Sequence, residues 1–177
     1  MKSILQFKKL VLFLVLATLT SMSAKAQYCA SAATTTADEE IYSVTMNSIT
    51  NAYNCSTVAP GTGSSLSQYS NFTSLGNMWT FAPGATVNFT IQEDECDGSP
   101  YYACGIAIWI DFNHNNSFAD AGEKVFVETA TATGPRTLTN TFVIPSGVLT
   151  GQTTMRIICA EGYSGTTLTE CLSYGFW

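Results

Sequence analysis

From residue 40 onward, apolar and polar positions alternate with a period of two. Tyr42, Val44 and Met46 form one such run, Val87, Phe89 and Ile91 in TVNFTIQ a second, and Ile106, Ile108, Ile110 and Phe112 a third. Leu138, Phe142 and Ile144 around TLTNTFVIP, then Met155, Ile157 and Cys159 in TTMRIICAE, supply two more. Turn residues separate the runs at Pro60-Gly61, Pro83-Gly84, Gly134-Pro135, Ser146-Gly147 and Gly165. No window after residue 26 carries a helical stripe, and Thr, Val, Ile and aromatic residues fill the strands. The pattern predicts an all-β fold of two antiparallel sheets packed as a sandwich or jelly roll. Trp109, on the central strand, is expected to pack under the other sheet.

Residues 1–26 break this pattern. Lys2, Lys8 and Lys9 precede a short apolar run from Leu10 to Leu19, and Ala24-Lys25-Ala26 gives small-x-small spacing before Gln27, which together read as a signal peptide. The apolar run falls short of the roughly 20 residues a bilayer span needs. Residues 27–177 are then one exported domain, secreted or at the cell surface, with no membrane insertion after cleavage. Signal removal leaves Lys124, Arg136 and Arg156 against thirteen acids, a net charge of −10. Such a surface repels nucleic acid and anionic lipid, and suits divalent cations and neutral partners such as polysaccharides.

Six cysteines, Cys29, Cys55, Cys96, Cys104, Cys159 and Cys171, all fall in the exported part. An even number in an oxidising compartment indicates disulfides, with fifteen possible pairings. The expected set is the local one: Cys29 with Cys55, Cys96 with Cys104 across the turn DGSPYYA as a hairpin staple, and Cys159 with Cys171. No C-x-x-C pair favours metal thiolate.

The sharpest chemistry lies in residues 105–123, GIAIWIDFNHNNSFADAGE. Asp111, Asn113, Asn115 and Ser117 fall at every second position, followed by Asp120 and Glu123, an oxygen-donor set suited to one hard cation, Ca²⁺. The start matches D-x-[DN]-x-[DN], but position six is Asn116 where an EF-hand has glycine, and the acid comes one place late at Glu123. A strand enters the loop and the apolar run 125–127 leaves it, so the loop joins strands rather than helices. Asn116 is able to take the left-handed conformation the missing glycine would supply. With three charged donors, affinity is expected near ~10⁻⁴ to 10⁻³ M. The alternative is an ion-free turn, since Asn, Asp and Ser also bond to their own backbone.

Other residues receive plainer readings. His114, the single histidine, sits inside this loop with no G-x-S-x-G signature elsewhere, and reads as solvated; no catalytic residue is assigned. Glu93, Asp94, Glu95 and Asp97 around Cys96 read as a solvated hairpin tip. Tyr101, Tyr102, Tyr163 and Trp177 are candidates for a ligand-facing aromatic surface that stacks on sugar rings.

The segments YCAS (28–31), EEIYSVTMNSIT (39–50), YSNFT (69–73), FAPGATVNFTI (81–91), IWIDFNHNNSFADAGE (108–123), FVIPSG (142–147), TTMRI (153–157) and CLSYG (171–175) resemble a GEVED domain. That resemblance implies an extracellular β-sandwich module of two-membrane bacteria, common beside peptidase domains or a sorting domain of the Por (type IX) secretion system. Asn115 and Asn116 stand where the family has Asp and Gly, and the chain reads YGFW where the family has a GEVEDY-like ending. The expectation is a C-terminally truncated or stand-alone copy of the domain. It is expected to act as a non-catalytic binding or adhesion module, held by disulfides and Ca²⁺ and contacting glycan or protein at the cell surface. The alternative is an accessory fragment of a secreted hydrolase, a peptidase or glycoside hydrolase with its catalytic domain elsewhere.

Overall fold

The computed structural model describes residues 27–36, 39–96, 98 and 100–174; residues 1–26, read as a signal peptide, and Asp97 and Trp177 lie outside the described residues. In chain order the strands are β1 Ala32–Ala33, β2 Glu39–Met46, β3 Ile49–Ala52, β4 Thr86–Glu95 and β5 Ala103–Ile110. After these come β6 Lys124–Val127, β7 Ala132–Thr133, β8 Arg136–Val143, β9 Met155–Glu161 and β10 Ser173–Tyr174. One 3₁₀ turn, Thr73–Leu75, is the helical element among the described residues.

Two four-stranded antiparallel sheets result. The first runs β3-β2-β4-β8; in the second, β5 is central, with β9 along one side and β6 and β7 along the other. β9 lies against β2 and β6 against β8, so the sheets stack face to face as a sandwich. Val44, Met46, Val87, Phe89, Ile91, Ile106, Ile108, Ile110, Phe142 and Ile144 fill the space between. These are the alternating positions of the sequence, pointing inward because a strand turns successive side chains to opposite faces. The bulge between Ile41 and Ser43 shifts that phase in β2, placing Ile41 rather than Tyr42 with the core.

The second sheet is buried on both faces, which accounts for the unbroken apolar run of β5. On its outer face Ala107, Trp109, Ile158 and Ala160 pack with Phe118, Leu168, Tyr28 and Tyr163. Trp109 therefore packs away from the other sheet, the reverse of the expectation, because its parity is opposite to that of Ile108 and Ile110. Gly105 and Gly165 permit this second layer: a Cβ on Gly105 would meet the backbone of Tyr163 and Gly165, and one on Gly165 would meet that of Ile106 and Glu128. The segment around residues 163–168 thus lies directly on the strands, with Gly165 N donating to Glu128 O at 2.7 Å.

The local disulfide set is wrong. Cys29 bridges Cys171 and Cys55 bridges Cys96, while Cys104 and Cys159 are buried and unbridged. The reason is topological. β4 and β5 belong to different sheets, so residues 96–104 cross the sandwich instead of turning a hairpin, and Cys104 points into the core. Cys29–Cys171 ties the two terminal segments, which also pair as the short parallel ladder β1-β10. No helix among the described residues is long and apolar enough to cross a membrane.

Candidate functional site

The oxygen-rich loop hangs from the end of β5. Asp111 is fully buried and Glu123 nearly so. Asp111 N donates to Thr154 O, and Ile110 N to Glu123 O, which fixes both ends of the loop against β9 and β6. Asp111 Oδ1 accepts from Asn115 N at 3.2 Å; its Oδ2 accepts from Asn116 N at 2.9 Å and from the Tyr28 hydroxyl at 2.6 Å. Asn113 Oδ1 accepts from Asn115 N, Asn115 Oδ1 from Ser117 N, and Ser117 Oγ from Ala119 N, a series of Asx- and Ser-type turns. Asn116 has φ 62°, the left-handed conformation expected for it, and His114 shares it at 58°. Exposed Asp120 closes the ring, its Oδ2 accepting from the Asn113 and Asn115 amides.

Electrostatically the loop is anionic. Burial pushes the Glu123 carboxyl up, the Phe112 and Asn113 amides pull it back, and Asp111 and Asp120 raise it further. Glu123 Oε1 accepts from Phe112 N at 2.9 Å, whereas Oε2 is buried with no hydrogen-bond donor. Burial and the bond to Asp111 push the Tyr28 hydroxyl up to about 12, so it stays a donor. Each loop oxygen that accepts one N–H keeps a second lone pair, and that free capacity suits a hard cation. Against this, the group of three Cys, His, Asp or Glu ligand atoms within 4.8 Å of one another lies, among the described residues, at Glu93, Cys104 and Cys159 instead. A cation in the loop must therefore draw on amide and main-chain oxygens beside its carboxylates. His114 is half-buried against Gly151 rather than solvated, and its Nε2 is buried without a partner.

Among the acids around Cys96, Glu93 and Glu95 are likewise not part of a solvated tip. Glu93 and Glu95 continue the inward phase of Val87, Phe89 and Ile91 and are buried, as is Glu39 on β2. Arg136 answers them from the start of β8. Its Nε lies 2.7 Å from Glu93 Oε2, and its two terminal nitrogens hold both Glu128 oxygens at 2.8 and 2.9 Å. Burial pushes the Glu93 carboxyl up to about 7 against the pull of Arg136.

A third feature has no counterpart among the sequence-selected residues. Between β2 and β9, under the connection from β3 to β4, opens a groove of about 300 Å³. Half-buried Tyr42, Tyr53, Tyr69, Phe72 and Trp79 line it together with Ser43, Asn51, Asn54 and Gln68. Tyr53 and Phe72 rings pack 4.9 Å apart, and Trp79 Nε1 donates to Ile49 O. None of the three selected aromatics that are described lines this groove. Tyr101 and Tyr102 are exposed on the crossover from β4 to β5, Tyr163 packs on the outer face of the second sheet, and Trp177 is not described. In sequence Tyr42 simply continues the alternation of Val44 and Met46, so no local pattern marks the groove; the bulge that turns Tyr42 toward it shows only in the strand pairing.

No curated protein and no solved structure matches the chain. A family model does, over the span that begins in β5, contains the oxygen-rich loop and continues through β9. The earlier segments of the resemblance, before residue 105, lie outside that match. The matching model is that of the GEVED domain, and it covers residues 105–176.

Proposed function

We propose that this chain is a secreted, non-catalytic binding module whose aromatic groove takes a neutral glycan and whose loop at residues 111–123 is stabilised by Ca²⁺. The groove carries the reading: flat rings beside amides and hydroxyls suit sugar, whose apolar ring faces stack while its hydroxyls need donors and acceptors. The family match and the two disulfides support an extracellular location. The buried, donor-free Glu123 Oε2 among three carboxylates supports the cation.

Titration of the purified protein with soluble polysaccharides and oligosaccharides tests the groove. Tyr69→Ala is expected to weaken a bound glycan about tenfold or more at an unchanged melting temperature. An unaffected affinity removes the groove from the reading. Thermal unfolding tests the loop: Ca²⁺ should raise the melting temperature saturably, because an ion stabilises only the state that binds it. Asp120→Ala, at an exposed position, should abolish that rise while leaving the chelated protein nearly unchanged. A melting temperature indifferent to Ca²⁺ makes the loop a hydrogen-bonded turn.

A further inference from the structure

Cys104 on β5 and Cys159 on β9 occupy the inner face of neighbouring antiparallel strands. Cys104 is paired with Glu161 and Ile106 with Cys159, so the two cysteines are diagonal neighbours of the same parity. Their Sγ atoms stand 2.8 Å apart, well inside the contact distance of two unbonded sulfurs. Both side chains are buried. Glu93 brings a carboxylate oxygen within 4.8 Å of both, the arrangement of a three-ligand metal site. Two features argue against that use. Thiolates sharing a tetrahedral Zn²⁺ with bonds of about 2.3 Å stand roughly 3.8 Å apart, a full ångström farther than these. The cation position is also taken, since the Arg136 guanidinium lies 2.7 Å from Glu93 and 3.6 Å from Cys104 Sγ.

We infer that Cys104 and Cys159 form a third disulfide, stapling β9 to the central strand and completing the pairing of all six cysteines. The bond forms by thiol–disulfide exchange with a disulfide oxidant of the exported compartment, either an oxidoreductase or a small-molecule disulfide. The Cys104 thiolate attacks the oxidant and releases one oxidant thiolate. Cys159 then attacks Cys104 Sγ and releases the second. Two protein thiols lose two electrons and two protons, the oxidant disulfide gains the electrons, and the protons pass to the solvent or to the released thiolates.

Burial orders this chemistry. No external thiol or disulfide reaches either sulfur once the sheets are stacked, so exchange precedes closure of the first sheet over the second. After closure the bond resists soluble reductant. The consequence falls on the groove, because β9 supplies one of its walls and is paired in the sheet with β5 alone among the described strands.

The full chain, exported through its own leader and purified without reductant, decides the matter. Denaturation in guanidinium with N-ethylmaleimide and intact-mass analysis should show no adduct and a chain six hydrogens lighter than its reduced form. Digestion should yield a peptide pair joining β5 to β9 that disappears on reduction. Two adducts per chain, on Cys104 and Cys159, with Cys29–Cys171 and Cys55–Cys96 intact, overturn the inference. So does a link from either cysteine to any other partner; retention of one metal per chain with two adducts replaces it by a thiolate site.

Discussion

The loop at the end of β5 and the polar cluster at the end of β4 both bury carboxylates, and they stabilise them differently. Asp111 is held by main-chain N–H groups four and five residues away and by one tyrosine hydroxyl. Those donors are neutral, so none of them brings a positive charge to the carboxylate. Glu93 and Glu128 share the single guanidinium of Arg136, whose positive charge stands where a bound cation would otherwise be needed. Burial and residue type are alike in the two places. What differs is whether the partner carries charge, and the proposed Ca²⁺ site rests on that difference.

Removing the charged partner should have the largest effect. Arg136→Met leaves buried Glu93 without its cation and half-buried Glu128 with only the bond from Ile106 N, and is expected to destabilise by about 3–5 kcal/mol in denaturant unfolding; a loss below about 1 kcal/mol would mean that the cluster is solvated in solution. Asp111→Ala should cost about 2–3 kcal/mol, since three donors lose a charged acceptor. Unlike the Asp120 change, that loss should persist in chelator as well as in Ca²⁺, because the bonds are the loop's own. A loss confined to Ca²⁺ would mean that the ion, not the backbone, organises Asp111.

The smallest effect is in the pH profile. The folded pKa of Glu93, about 7, lies above the value of 4.5 expected of an unperturbed glutamate. Its stabilising contribution is therefore complete below about pH 4.5 and is lost as the pH rises through 7. Glu93→Gln cannot ionise, so between pH 4.5 and 7 its stability should fall less steeply than that of the wild type, by at most about 1.4 kcal/mol per pH unit. An identical slope in both proteins would mean that Glu93 is ionised throughout, with Arg136 outweighing burial.

What could be read from the sequence follows the range of the interaction. Alternation at Val87, Phe89 and Ile91 gave the inner face of β4 correctly, because strand geometry fixes it locally. The same parity extends to Glu93 and Glu95, and following it through the acids would have placed them inside. The turns of the oxygen-rich loop were equally legible, down to the left-handed Asn116, since each is closed by neighbours in sequence. Cysteine pairing was not, because it depends on which strands share a sheet, and proximity in sequence placed β4 and β5 in a hairpin they do not form. The groove escaped for the same reason: its rings come from β2 and from the connection beyond β3, its far wall is β9, and no local pattern unites them.

Cys29–Cys171 also has a mechanical meaning. It joins positions 142 residues apart at the place where β1 and β10 run side by side. Tension transmitted from outside those two positions passes through the covalent bridge, and the strands enclosed between them carry none of it. A module so wired can be pulled without being unravelled until the bridge is reduced.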